Sequence, residues 1–359
     1  MKVLHVSMAK GWRGGEQQIA YLADFLKNQG IEQSFAALQN EPLYLSLKNA
    51  GVSTIPLYPS LLKITHNIQR LRKAAKDADL IHLHDSKAHT VAVLAALTGM
   101  SIPLVLSRRV DFVPSNNFFS RFKYNHHSVK KVICVSQAIE KIMKKSIKKP
   151  EIVTTVHSGI DTNKFNNFHE NYLRKTYNIP SEHTIIGNTS AIAPHKDYFT
   201  FVDTAELLIL NNHKIKFFII GQGAEEESIR NYIQKKGLQE HIIMTGFLEN
   251  IHDVLPSLDI FFMPSETEGL GTSILDAMAA GVPVVATSTG GITELITNNE
   301  NGLLAPPANP AKLADQIEKL ILSRSLKESI IKNARQKVQH FSKEQMGKKT
   351  LKVYKDVLA

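Results

Sequence analysis

A chain of 359 residues is long enough for about two domains. Its hydrophobic share of 43% and charged share of 21% exclude a disordered chain, and no apolar run approaches the ~18 residues that span a bilayer. The net charge of +10 is lopsided, with 23 Lys/Arg against 11 Asp/Glu in residues 1–165 and 20 against 22 in residues 166–359. An excess confined to one half points to an anionic partner: nucleic acid, a membrane surface or a phosphorylated substrate. One cysteine, Cys134, excludes an intramolecular disulfide framework and fits a reducing compartment. No apolar signal core follows Met1-Lys2, so the cytoplasm is the expected location.

In chain order, residues 3–8 form a short apolar strand, a Gly-rich loop follows at 10–15, and residues 16–29 have helical spacing. Residues 79–84, 103–107, 132–135 and 152–156 read as further buried strands. The pattern breaks between 157 and 180, where Asn-rich residues 163–167 look like a linker. It then restarts: strands at 184–187, 216–220, 242–245, 260–264 and 282–286, with helical stretches at 199–210, 225–236, 274–280 and 310–322. Strands alternating with helices predict an α/β fold of two parallel-sheet domains, each covered on both faces. Ligands of such sheets bind beyond the carboxyl ends of the strands, so two domains facing across a cleft would share one site.

Several constellations lie at those strand ends. Gly11-Trp12-Arg13-Gly14-Gly15-Glu16 is either a tight turn or a phosphate cradle at a helix N-terminus. Gly221-Gln222-Gly223 lacks the third glycine of a dinucleotide fingerprint, with Glu226 in its place, which disfavours a nicotinamide cofactor. The segment from Pro264 to Pro283 predicts a strand, a loop with Gly269 and Gly271, and a helix starting near Thr272. Glu268 then sits in the loop and Asp276 about one turn inside the helix. That arrangement suits either a capped strand–loop–helix or an anion site whose two acids accept from vicinal hydroxyls. Lys196, in Ala193-Pro194-His195-Lys196-Asp197, is either solvated or a point-charge clamp on phosphate. His82 and His84 share one strand face, but no third and fourth ligand follow at metal spacing. Asp77-Ala78-Asp79 precedes its strand and reads as a helix end rather than a metal–diphosphate signal.

Taken in order, these motifs resemble the family-four glycosyltransferases, retaining nucleotide-sugar enzymes of the GT-B fold. The resemblance runs nearly end to end. It covers Gly14-Gly15-Glu16, His82 and His84, Cys134-Val135-Ser136, His157-Ser158-Gly159-Ile160-Asp161, Lys196, Gly221-Gln222-Gly223 and Thr245-Gly246-Phe247-Leu248. It continues through Glu268 to Asp276, Gly290-Gly291-Ile292-Thr293-Glu294 and Asn301-Gly302-Leu303-Leu304. The resemblance implies an acceptor-side domain at 1–163 completed by a crossover helix at about 343–359, and a donor-side domain at 164–342. It implies that Gly14 and Gly15 donate to the donor diphosphate and that Lys196 neutralises it as it leaves. Gly269, Leu270, Gly271 and Thr272 would hold sugar hydroxyls and phosphate, with Glu268 against the transferred sugar. Asp276 would take the ribose, Phe247 and Leu248 the base, and Ser190 and Gly221 would complete the donor pocket. The nucleotide sugar is a co-substrate; neither cofactor nor metal is expected.

Three departures stand out. The second acid of the E-x7-E signature is Asp276, one methylene shorter. The family's Arg, five residues before the loop lysine, is Ala191. Its histidine after the strand at 103–107 is absent, and Ser107-Arg108-Arg109-Val110-Asp111 stands there. Losing one charge-stabilising donor typically costs roughly 100- to 1,000-fold in rate, so Arg109, or Arg108, is expected to restore the charge.

The leading expectation is a UDP- or GDP-sugar transferase acting on a lipid-linked, lipopolysaccharide or other surface-glycan acceptor. It would sit peripherally on the inner face of the cell membrane. Residues 121–149 hold nine Lys/Arg and one acid, Glu140, with Ile139, Ile142, Met143 and Ile147 at near-helical spacing. That stripe either meets anionic headgroups or packs on the sheet. A soluble-acceptor transferase, a sugar-nucleotide epimerase and a catalytically silent binding subunit are the alternatives. Nucleic-acid binding is not expected, since no basic motif is interleaved with aromatics.

Overall fold

The computed structural model describes residues 1–165, 171–211 and 214–359; the Asn-rich stretch 163–167 lies partly outside them. The chain divides into unit 1, Met1–Gly159 with Lys343–Ala359, and unit 2, Ile160–Ser342. The division falls at 159/160, ahead of the expected 163. Ile160 donates its N–H to the Phe341 carbonyl at 2.9 Å and bridges to Ser342, which ties it to unit 2.

Unit 1 holds seven strands: β1 (Lys2–Ser7), β2 (Glu32–Leu38), β3 (Ser53–Leu57), β4 (Leu80–Leu83), β5 (Leu104–Arg108), β6 (Val129–Cys134) and β7 (Val153–Thr155). They pair in parallel in the order β3-β2-β1-β4-β5-β6-β7. Central strands β4 and β5 are buried throughout, as a parallel sheet covered on both faces requires. Two of these seven strands were not evident from sequence, and neither was the short strand Leu303–Ala305 of unit 2. β2 opens on polar Glu32-Gln33-Ser34, and β3 contains Pro56. Proline cannot donate to a ladder, and β3 is accordingly an edge strand. Leu351 and Tyr354 of the closing helix Lys343–Leu358 join Val3, Leu26, Leu80 and Val105 in one core cluster.

Unit 2 holds β8 (Thr184–Thr189), β9 (Ile215–Ile220), β10 (Ile242–Gly246), β11 (Ile260–Met263), β12 (Val284–Thr287) and β13 (Leu303–Ala305). They pair in parallel in the order β10-β9-β8-β11-β12-β13. Phe201, Phe217 and Phe262 fill its core together with Ile186, Tyr198 and Leu313. Each sheet is therefore a Rossmann-like layer.

Helix starts are fixed locally. The Asp85 carboxylate accepts from the Lys87 and Ala88 N–H groups at 2.9 Å each, and Ser136 accepts from Ile139 N–H at 3.2 Å. These caps satisfy donors that the helix itself leaves open. The helix Gln137–Ser146 turns Ile139 and Met143 fully inward, Ile147 beyond it is buried, and Ile142 is half-buried. Its apolar stripe packs on the sheet and does not meet headgroups. No helix among the described residues is long and apolar enough to cross a membrane.

Candidate active site

In unit 2, five strand-end loops converge through backbone contacts. Lys196 lies in the short turn Pro194–Lys196 after β8 and forms an ion pair with Glu268 in the loop after β11. Both side chains are largely buried, at 11% and 14% exposure. The Glu266 N–H donates to the His195 carbonyl at 3.0 Å, so the two loops are joined by backbone as well as by charge. The loop after β12 supports the Glu268 loop from the other side. Gly291 N–H donates to the Glu268 carbonyl at 2.9 Å, and Thr289 Oγ1 donates to the Glu266 carbonyl at 2.8 Å.

This closeness depends on glycine. Gly290 has φ +48, and a Cβ there would stand 2.2 Å from the Glu268 oxygen. Gly221, after β9, has φ +149, and a Cβ there would stand 2.1 Å from the Ser190 oxygen. Any larger residue would push the loops apart. Gly221 N–H donates to the Gly246 carbonyl at 2.9 Å, joining the loops after β9 and β10. The Ser190 and Tyr198 hydroxyls share a hydrogen bond of 2.9 Å.

The other sequence-predicted residues of this unit fall at the same sheet edge. Gly269, Leu270 and Gly271 form the loop that leads into the helix Thr272–Ala279, with Leu270 buried and Gly271 at φ +92. The start at Thr272 matches the sequence reading. Phe247 is 65% exposed beyond β10 and Leu248 is half-buried. Asp276 does not stand with Glu268 in the ion pair. It is half-buried one turn into its helix, and its carboxylate has no hydrogen bond or ion pair among the described residues. Burial pushes its carboxyl up to about 6; Lys164 pulls it back and Asp161 adds to the rise. Asn188 and Ser265, at the ends of β8 and β11, keep buried side-chain atoms without a partner among the described residues. Such atoms in a native interior call for an explanation, and neither residue carried a sequence signal.

In unit 1 the helix Gly14–Asn28 begins with Gly14 and Gly15, and a Cβ on Gly15 would meet Arg109 Cδ at 3.8 Å. Arg109 follows β5 and donates to the His84 carbonyl at 2.7 Å and to His84 Nδ1 at 3.2 Å. Burial lowers its pKa, opposed by the carboxylates of Glu16 and Asp85. Arg108 points elsewhere: its guanidinium donates to the Tyr124 hydroxyl at 3.1 Å and to the Phe112 carbonyl, and stacks on the Phe112 ring. Of the two arginines, Arg109 is the one beside the glycine pair.

His82 and His84 acquire a third imidazole that spacing could not reveal, His5 on the neighbouring strand β1, and their ligand atoms lie within 4.8 Å of one another. His82 and His84 are bonded at both ring nitrogens, while His5 Nε2 is buried without a partner among the described residues. A guanidinium only donates, so His84 Nδ1 accepts, its Nε2–H donates to His5 Nδ1 at 3.0 Å, and the His5 proton sits on Nε2. His82 bonds the Ser107 hydroxyl at 2.8 Å and the Tyr354 hydroxyl at 2.5 Å. Burial drives all three imidazoles toward neutrality, His5 to about 3. The cluster is a hydrogen-bonded support for Arg109. Gln18, also missed by sequence reasoning, clamps Gly159 by donating to its carbonyl at 2.7 Å and accepting from its N–H at 2.8 Å.

Two parallel Rossmann-like sheets with glycine-bearing loops at their strand ends are the architecture of the GT-B fold. Residues 12–164 match Glycosyltransferase Family 4, and residues 170–337 match Glycosyl transferases group 1. The chain belongs to the group 1/family 4 glycosyltransferases and is a transferase. An N-acetyl-alpha-D-glucosaminyl L-malate synthase of Bacillus anthracis is 25% identical over 292 residues, covering 79% of this chain and 76% of that protein. Uncharacterized glycosyltransferase MJ1178 of Methanocaldococcus jannaschii is 28% identical over 321 residues, 86% of each chain. Among solved structures, Anabaena Alr3699/HepE in complex with UDP and glucose superposes with a TM-score of 0.89 at 20% identity, covering 99% of this chain and all of that one.

Proposed function

We propose that the chain moves a sugar from a UDP- or GDP-sugar, with retention at the anomeric carbon, to an anionic lipid-linked or surface-glycan acceptor at the inner membrane face. The observation that carries this reading is the Lys196–Glu268 pair, held nearly buried among glycine-bearing loops that close on one another at the strand ends. A UDP-and-glucose complex of a protein with the same fold supports the donor class.

In this reading Lys196 turns from Glu268 to the donor diphosphate and neutralises the charge that develops as the anomeric C–O bond breaks. Glu268, released, accepts from the transferred sugar's hydroxyls. The N–H groups of Gly269–Thr272 at a helix start, and of Gly14 and Gly15 at another, suit phosphate oxygens. Asp276 accepts from the ribose. Arg109, a buried cation beside Gly15, suits a phosphate as well. The basic surplus of residues 1–165 supports an acceptor that is negatively charged or lies in a negatively charged surface.

A second reading keeps the donor and changes the acceptor. The likeness to an L-malate synthase favours a soluble anionic acceptor. Labelled UDP- and GDP-sugars incubated with a membrane lipid extract, and separately with L-malate, divide the two. Label entering the lipid phase with an α-configured product supports the membrane acceptor. Label on malate supports the soluble one. Saturable UDP binding without turnover on either would contradict both and mark a silent binding subunit.

A further inference from the structure

The helix Phe118–Tyr124 between β5 and β6 carries three exposed phenylalanines within five residues. Phe118 is 85% exposed, Phe119 46% and Phe122 36%. Phe118 and Phe122, one turn apart, stack with ring centres 6.3 Å apart, so they present one apolar side. Contiguous exposed aromatics on a soluble surface mark a contact site.

The neighbouring charge says what kind. Asn125, which ends this helix, accepts from the Lys148 N–H at 2.6 Å. That bond fixes the lysine-rich turn at 145–149 beside the aromatic helix. Lys145, Lys148 and Lys149 are exposed and carry no ion pair among the described residues. The one acid in this stretch, Glu140, is taken up by Lys144 at 2.7 Å and by the Thr155 hydroxyl. The helix Gln137–Ser146 cannot itself insert, because its apolar stripe is used by the sheet. Aromatic rings flanked by uncompensated lysines suit the interface of an anionic bilayer, where rings enter the acyl boundary and ammonium groups stay at the phosphates.

We infer that the aromatic helix Phe118–Tyr124 and the lysine turn at 145–149 form a docking face for an anionic bilayer. The inference rests on the membrane-side reading above and names the part of the surface that would serve it. The test is sedimentation of the full chain with vesicles of phosphatidylglycerol and phosphatidylcholine, against phosphatidylcholine alone. UDP affinity is measured in parallel. The expected result is binding to the anionic vesicles that weakens with salt. Phe118→Ser with Phe122→Ser should reduce it about tenfold or more, and so should Lys145→Gln with Lys148→Gln and Lys149→Gln. Phe118→Trp with Phe122→Trp should retain it, and UDP affinity should not change in any variant. Equal binding to neutral vesicles overturns the inference. So does parental vesicle binding by the serine variant, including the case where it loses self-association instead, since the face would then meet protein. Absence of UDP binding in the parent would count against the transferase reading and leave the vesicle result to be judged alone.

Discussion

In unit 2 the loops bearing Lys196 and Glu268 are held by backbone pressed on backbone, with Gly221, Gly223 and Gly290 marking points of close approach. In unit 1 Arg109 is held by the His84 carbonyl and by an imidazole chain from His84 Nδ1 to His5, with His82 bonded to Tyr354 and Ser107 beside them. The first arrangement tolerates no added atom but asks little of side-chain chemistry. The second depends on proton positions in a buried chain of neutral imidazoles. One sheet architecture thus positions cations in two ways, and the two should fail differently when perturbed.

The largest effect on stability is expected from glycine. Gly290→Ala adds a methyl group 2.2 Å from a backbone oxygen at φ +48, and should cost about 2–4 kcal/mol in urea unfolding. Gly11→Ala is the control. It also has positive φ, at +73, but nothing lies within 4 Å of its Cβ, so only about 1–2 kcal/mol of backbone strain is at stake. Equal losses would mean that the loop packing in unit 2 is slack.

This contrast also explains what could be read from the sequence. Unit 2 was legible because its site is written in contiguous stretches: the loop from Glu268 to Thr272, the Gly290-Gly291 pair and Gly221. Strand ends and helix starts can be placed from apolar runs and punctuation, and the start at Thr272 was found. Unit 1 was less legible because its support joins residues far apart in the chain. His5 reaches His84 and Tyr354 reaches His82 only once strands β1 and β4 pair and the last helix docks. No spacing rule spans such distances. Edge strand β3 was hidden by Pro56 for a related reason, since its tolerance depends on a place in the sheet that sequence does not announce. The stripe of Ile139, Met143 and Ile147 had two readings, and burial in the sheet decided it.

A smaller effect separates the units by pH. His5 is held neutral, to about 3 against an ordinary 6.5. Its contribution to stability is present above about 6.5 and lost as pH falls from there toward 3. Asp276 has the opposite sign. Its carboxyl rises to about 6 from an ordinary 3.8, so the stability it contributes is present below about 4 and lost as pH climbs through 6. Melting temperatures measured from pH 4 to pH 7 should show Asp276→Asn gaining on the parent as pH rises. A gain that is constant with pH would remove Asp276 from the account. Donor affinity of the parent should strengthen through pH 6 as the carboxylate ionises, a step missing in Asp276→Asn.

The most direct measurement is the initial rate of UDP-sugar turnover in Glu268→Gln, Lys196→Ala and Arg109→Ala, with Arg108→Ala as the comparison. The account predicts losses of roughly 100-fold or more in the first three, as for removal of a charge-stabilising group from a transition state. It predicts a much smaller loss for Arg108→Ala, whose guanidinium is occupied by Tyr124 and Phe112. Parental turnover in Glu268→Gln and Lys196→Ala would contradict the assignment of the donor site.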